Sequence, residues 1–528
     1  MYAQQLSKRQ VFWTLAGVML AMLLGALDQT IVGTAMPRIV ADLAGFSLYT
    51  WATSIYMITS AISIPIVGKL SDTYGRRFFY IVGVSIFVSA SLACGLSQNM
   101  LELIIFRGIQ GIGGGAIMTN AFTVIADLFP PDKRGKYQGF LTATFSFASV
   151  IGPTTGGYLT DNISWHWIFF INVPLGALVI FVFLKFFPGF KKDNVKHTID
   201  FAGLVTLVLA IGSAMLALSW GGVNYGWGSP QVISMFAFAA VMLVLFLFLE
   251  TRAKEPIVPL SLFKLRIVSI TNLASFLMGM GMFGSIIFVP LYLQGVLGYS
   301  ATASGNMQIP QSIAVMVSSI IAGQMVSRRV GKYRVMGVVS MGMIFIGVFL
   351  LSRLTTFSHF WYVIVDICII GLGMGGSMPI FVLAIQNSVP YEQLGTATST
   401  SNFVRSFGGS VGLAVLGAIM NNRFFPVFMN SIPSNILNAV PSEQLAALAR
   451  NPNALVNPAA QAQLQQMLNQ PGLDAGAYNQ VMTVLKESLN TAITQAFFIA
   501  SIIILAGVAA AFFIKDQPNA MPPGPPPR

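Results

Sequence analysis

Four ionisable side chains stand inside long apolar runs: Asp28, Arg107, Asp366 and Arg405. A lone charge held away from water costs on the order of several kcal/mol, so each must be paired, neutralised or functional. Asp28 falls about two turns from the end of its run, and Arg107 lies at a similar depth when successive runs alternate in direction. The two can therefore partner. Proton exchange is the chemistry this permits: Asp28 accepts a proton as Arg107 leaves and releases it as Arg107 returns. A permanent Asp28–Arg107 pair is the structural alternative. Asp366 lies about two turns into its own run, where contact with a cationic ligand, pairing, or staying protonated all fit. Arg405, in Asn402-Phe-Val-Arg405-Ser-Phe-Gly408-Gly409, fits a structural or gating role as well as ligand contact.

Other chemistry is not legible. The three histidines are scattered singly, no phosphate-binding P-loop occurs, and Cys94 and Cys368 lie in apolar runs as spectator thiols. No enzyme activity, metal or cofactor is expected. Energy for any uphill process must then come from an ion gradient, and Asp28 points to the proton.

The elements that position these residues follow from composition. Of 528 residues 55% are hydrophobic and only 9% charged, and mean hydropathy is +0.74. A soluble domain needs about a quarter charged to cover its surface. Apolar stretches of about 20 residues recur throughout, the length that crosses a ~30 Å hydrocarbon core, and at that length they are helices rather than barrel strands. The breaks between them predict fourteen spans: 11–36, 48–70, 78–98, 101–126, 137–160, 166–188, 200–220, 230–250, 267–294, 303–327, 334–353, 360–385, 396–421 and 490–514. Most of the 29 Lys and Arg fall in alternate loops, as in Arg76-Arg77, Lys133-Arg134 and Arg328-Arg329. These mark the inner side, predict cytoplasmic termini, and account for the net charge of +12 without nucleic acid. A weakly charged outer loop spans 422–489, with short helices predicted from Ser442 to Arg450 and from Pro458 to Gln470. The chain ends in a Pro-rich tail, 515–528, predicted to be disordered.

An internal repeat divides the spans. Gly111, Gly113 and Gly115 recur 260 residues later as Gly371, Gly373 and Gly375, and in the same register Pro130 matches Pro390, Asp132 Glu392 and Gly135 Gly395. Gly152 and Gly157 match Gly412 and Gly417. The chain thus resolves into a six-helix bundle over 1–188, two inserted helices with linkers over 189–266, and a second six-helix bundle over 267–514. Parallel halves of this kind are a transporter architecture, with the substrate site between them near the midplane.

Several motifs carry a resemblance. The inner loop Gly68-Lys-Leu-Ser-Asp72-Thr-Tyr-Gly75-Arg76-Arg77 resembles the signature loop of the major facilitator superfamily, in which Asp72 can face a helix N-terminus or Arg76 and hold the halves in one state. A second copy around Gly323–Gly331 lacks the aspartate. Leu27-Asp28-Gln-Thr30 through Pro37 is similar to the first-span motif of the fourteen-span drug:proton antiporters, and Arg107-Gly-Ile-Gln110-Gly111 to the superfamily's fourth-span motif. Gly152-Pro153-Thr-Thr-Gly156-Gly157 resembles the exporters' fifth-span motif, with Ala148 where a glycine is usual. Trp165-His166-Trp167 through Asn172 and Pro174 resembles their sixth, with His166 in place of arginine; a pH-sensitive outer-face role for His166 is one reading.

The resemblance implies an all-α major facilitator fold and a proton-coupled antiporter that exports amphipathic, often cationic, organic compounds from a bacterial inner membrane. Its proton-coupling residues would be Asp28 and Arg107. The conformational switch would comprise Gly68, Asp72, Gly75, Arg76, Arg77, Gly152, Pro153, Gly156 and Gly157. Candidate substrate contacts are Asp366, Arg405, Gln110, Phe276, Met280 and Phe283, the last three from a methionine- and aromatic-rich ninth span. Partners are small molecules, protons and the bilayer; a periplasmic adaptor is left open. A dedicated exporter of an endogenous metabolite, siderophore, peptide or lipid is the nearest alternative, and a transport-inactive receptor or scaffold a more distant one.

Overall fold

The structure is a computed structural model that describes residues 6–43, 48–189, 200–222, 225–328, 332–441, 445, 458–468 and 476–516. Its regular elements are helices. The first bundle comprises α1 (Lys8–Asp42), α2 (Tyr49–Tyr74), α3 (Arg76–Gly95), α4 (Met100–Leu128), α5 (Pro131–Asn162), and a sixth span broken into α6 (Trp167–Phe170) and α7 (Asn172–Phe186). The inserted pair is α8 (Phe201–Trp220) and α9 (Pro230–Glu250). The second bundle comprises α10 (Arg266–Leu291), α11 (Ala301–Asn306) leading into α12 (Ile309–Arg328), α13 (Tyr333–Leu351), α14 (Phe360–Gln386) and α15 (Leu394–Ser431). Short α16 (Ser434–Ala439) and α17 (Pro458–Leu468) precede the last long helix, α18 (Ala477–Phe512).

Among the described residues, thirteen helices are long and apolar enough to cross a membrane. The helix outside that set is α5, whose 32 residues carry repeated Gly, Ser and Thr. It packs between α1 and α12 within the bundle order. Helix starts follow local chemistry. The Asn99 side chain accepts from the Glu102 amide and Glu102 reaches back to Gln98, a reciprocal cap that opens α4. Gly75 joins α2 to α3 with φ +106°, a conformation that a Cβ disfavours, and so permits the abrupt turn.

The repeat is visible in the packing. A Cβ on Gly111 or Gly115 would strike α2 backbone at Tyr56 or Ser60, and one on Gly371 or Gly375 would strike α12 at Gln311 or Val315. On the next face Gly113 abuts Gly83 and Phe87 of α3, and Gly373 abuts Ser340 and Ile344 of α13. Glycine at each position lets one long helix of each bundle lie backbone-to-backbone against two neighbours. The two bundles keep separate apolar cores, around Tyr80, Phe87 and Phe183 in the first and Tyr292, Tyr333 and Phe497 in the second.

Some expected boundaries are corrected. α1 continues through Pro37 to Asp42, so Asp28 sits near the middle of a 35-residue helix, about 21 Å from its end rather than two turns. Likewise α15 runs through Pro426 to Ser431 and α18 starts at Ala477, shortening the loop to 432–476. Proline removes one backbone bond, but in an apolar surround the remaining peptide groups still gain most by staying helical. The helix predicted from Pro458 is α17. The one predicted over 442–450 lies outside the described residues apart from Leu445, as does the tail from Gln517.

Candidate functional site

Asp28 is fully buried and holds three polar side chains together. Arg107 Nη1 donates to its Oδ2 at 2.6 Å, while Gln110 Nε2 and Asn172 Nδ2 donate to its Oδ1 at 2.8 and 3.0 Å. Arg107 Nη1 also reaches Gln110 Oε1 at 2.8 Å, and Asn172 donates to Ser91 Oγ at 2.9 Å, so α1, α3, α4 and α7 converge on one carboxylate. The Arg107 guanidinium lies over the Tyr56 ring, 4.3 Å from its centroid, an arrangement set by the close α2–α4 approach at Gly111. Both charges are almost wholly out of water. Removing one partner of such a pair leaves the other uncompensated, which makes the site sensitive to a change of protonation. Beside it, a Cβ on Gly152 would strike Thr30, and Ala148 is fully buried with its carbonyl facing the Thr30 hydroxyl at 3.4 Å. These small residues let α5 close on α1 two positions from Asp28.

A second centre joins the two bundles at the end that carries the basic loops. Asp72 Oδ2 accepts from the Thr396 amide at 2.7 Å and its hydroxyl at 3.1 Å, while Oδ1 accepts from the Gly395 amide at 3.1 Å. The carboxylate thus caps the N-terminus of α15, where unpaired amides and the helix dipole favour an anion. The sequence left open whether Asp72 meets a helix N-terminus or Arg76. It meets both: Arg76 Nη2 is 2.9 Å from Oδ1, and Arg76 Nε is 2.8 Å from Asp127 of α4. Tyr391 donates to Asp127 at 2.8 Å from the second bundle. Gly68 has no room for a Cβ because Ser399 and the Gly395 carbonyl lie against it. The pseudo-symmetric seam, α5 against α12, closes backbone-to-backbone at Gly135 and Gly323, with Ser319 donating to Gly139 at 3.1 Å and the Lys136 amide to Ser327 at 3.0 Å. Arg134 to Asn387 (3.1 Å) and Gln138 to Gln386 (2.7 Å) complete the contact.

The remaining candidates separate. Arg77 donates to the Leu184 carbonyl at 2.7 Å, so it ties α3 to α7 within one bundle instead of joining the two. Gln110 is fully buried with both ends engaged by Arg107 and Asp28, which places it in the carboxylate centre. Asp366 is 5% exposed, and among the described residues no polar partner is found for its carboxylate. Arg405 has no carboxylate partner among the described residues; its Nη2 donates to Asn402 at 3.2 Å. Phe276 packs against Phe407, Met280 is half-buried beside Gly412, and the Phe283 side chain lies outside the described residues. Gly156 is buried and Pro153 lies within α5, whereas Gly157 borders open space that packing does not explain. His166 stacks on Trp165, 3.7 Å between centroids, and meets Ser164 Oγ at 2.7 Å.

Residue reasoning missed Asn172 and Ser91 in the carboxylate centre, and Asp127, Asn387, Gln138 and Gln386 between the bundles. One signal was available. Asp127 and Asn387 are related by the same 260-residue offset, both polar at the end of an apolar helix.

Comparison with known proteins bears on this arrangement. The Major Facilitator Superfamily family model matches residues 18–201 and 201–413. The chain is similar to the multidrug transporter protein MdtP of Bacillus subtilis, 40% identical over 514 residues, covering 96% of this chain and 93% of that one. It is also similar to multidrug resistance protein 3 of the same organism, 37% identical over 502 residues, with 95% and 94% covered. Among solved structures, the proton:xylose symporter XylE superposes with a TM-score of 0.57 at 12% identity over 96% of each chain. The human organic anion transporter MFSD10 superposes with 0.58 at 12%, over 94% of this chain and 99% of that one. At such identity these two bear on the fold alone.

Proposed function

The chain belongs to the major facilitator superfamily, and from that premise we propose that it is a proton-coupled antiporter exporting amphipathic, often cationic, organic compounds by alternating access. The observation that carries the coupling is the buried Asp28–Arg107 pair with Gln110 and Asn172 around it. Paired, Asp28 is the deprotonated form. Protonation removes the charge that holds Arg107, and the freed guanidinium keeps Gln110 and Tyr56 as partners. A site that changes its contacts with protonation biases the equilibrium between two global states, which is what coupling requires. The second centre supplies such states: with Asp72 capping α15 the bundles are joined at the basic end, and rocking one against the other must break that contact. We place the basic end in the cytoplasm of a bacterial inner membrane, following the loop charges. The unpartnered carboxylate of Asp366 favours cationic cargo.

Efflux of a fluorescent cation from energised vesicles, with and without a proton uncoupler, tests this reading. Asp28→Asn, which keeps the side-chain shape, should yield folded protein without gradient-driven efflux. Undiminished active efflux in that variant removes Asp28 from coupling. A dedicated exporter would instead move one compound class and leave structurally unrelated dyes untouched.

A further inference from the structure

The two seams between the bundles, α2 against α15 and α5 against α12, are related by the internal repeat, but only one is covered among the described residues. The inserted α8 lies across the α2–α15 seam. Leu207, Ile211 and Met215 of α8 pack with Ile58 and Ala61 of α2, and Phe403 and Phe407 of α15 close the same apolar cluster. On its far side α8 packs against α9, which is largely exposed along its length. Over the α5–α12 seam no described element takes an equivalent place, and Ile313, Val317 and Ile321 of α12 remain exposed.

The two attachments of α8 differ in kind. Toward α2 it is pinned at its outer end. At the outer end Ser54 Oγ and Ser219 Oγ are 2.7 Å apart, and Trp51 meets Trp220 edge-on, 5.1 Å between centroids and 75° between planes. At the basic end Lys69, Leu70 and Tyr74 of α2 share a cleft with Asp200 and Leu204 at the start of α8. Toward α15, by contrast, the contact includes Phe403 and Phe407, and among the described residues no hydrogen bond joins the two helices. Hydrogen bonds and edge-on rings hold one register, whereas apolar contact is non-directional and tolerates sliding.

We infer that the inserted helix pair is a cover carried by the N-terminal bundle, which slides over α15 and keeps the α2–α15 seam closed to lipid. Amphipathic cargo then exchanges laterally with the bilayer on the α5–α12 side only. This rests on the antiporter reading above and assigns the insertion a task within it: it removes one of two symmetric lateral openings.

Two measurements on the full chain test it. Oxidative cross-linking of Ser54→Cys with Ser219→Cys should leave uncoupler-sensitive dye efflux within about two-fold of the reduced protein. Tying Met215→Cys to Phe407→Cys with a short bismaleimide should reduce efflux at least ten-fold. The reverse pattern overturns the carried cover, while absence of efflux in the untied wild-type protein refutes the antiporter reading instead. Independently of transport, a membrane-partitioned phosphonium cation bearing a diazirine should label α5 or α12 of the wild-type protein. Labelling concentrated on α2 or α15 overturns the one-sided opening.

Discussion

Asp72→Asn probes the contact that joins the bundles. The carboxylate accepts three hydrogen bonds from the first residues of α15 and an ion pair from Arg76, all buried. Hydrogen bonds to a charged group contribute about 1.5–3 kcal/mol each and neutral ones about 0.5–1.5, with the helix terminus adding up to about 2. Asparagine keeps one acceptor oxygen and loses the charge, while Arg76 retains Asp127. A net loss of roughly 2–4 kcal/mol from the joined state follows, a shift of about 30- to 1000-fold toward separation of the basic ends. Spin labels at Lys133 and Glu392, both exposed and on opposite bundles, would read it by dipolar distance. The reasoning predicts a longer population that dominates in the variant and is minor in the wild type. Gly395→Ala should act the same way with the carboxylate intact, because its Cβ would meet Asp72. An unchanged distance distribution in both variants would refute the assignment.

Three further outcomes are expected. Asp366→Asn should weaken transport of cationic substrates by roughly ten-fold or more and leave neutral ones within two-fold, as loss of an ion pair in low dielectric implies; equal effects in a competition assay would remove it from the binding site. Gly113→Val should cost about 1–3 kcal/mol by forcing α4 from α3, seen as a lower melting temperature in detergent. Arg107→Lys should keep the charge but lose the simultaneous reach to Asp28, Gln110 and the Tyr56 face, so efflux should fall while expression holds.

Much was fixed by composition and spacing alone. Apolar runs locate the helices because a bilayer leaves the backbone few alternatives, and the 260-residue offset anticipates the matching glycine contacts of α4 and α14. The same constraint explains the errors: spans expected to end at 36 and 421 continue as helix through Pro37 and Pro426. Asp28, Arg107 and Asp72 were legible because an isolated charge in an apolar or patterned stretch is itself a signal. Asn172, Gln138 and Gln386 were not, since a neutral amide acquires meaning only from what it faces. The sequence could say that Asp28 and Arg107 lie at compatible depth, and that Asp72 had two candidate partners. Only the packing of helices from distant parts of the chain decided that Asp28 has three polar partners, that Asp72 bridges the bundles, and that the inserted pair covers one seam. Local periodicity sets the face a residue occupies on its own helix; which helix meets that face is a property of the whole assembly.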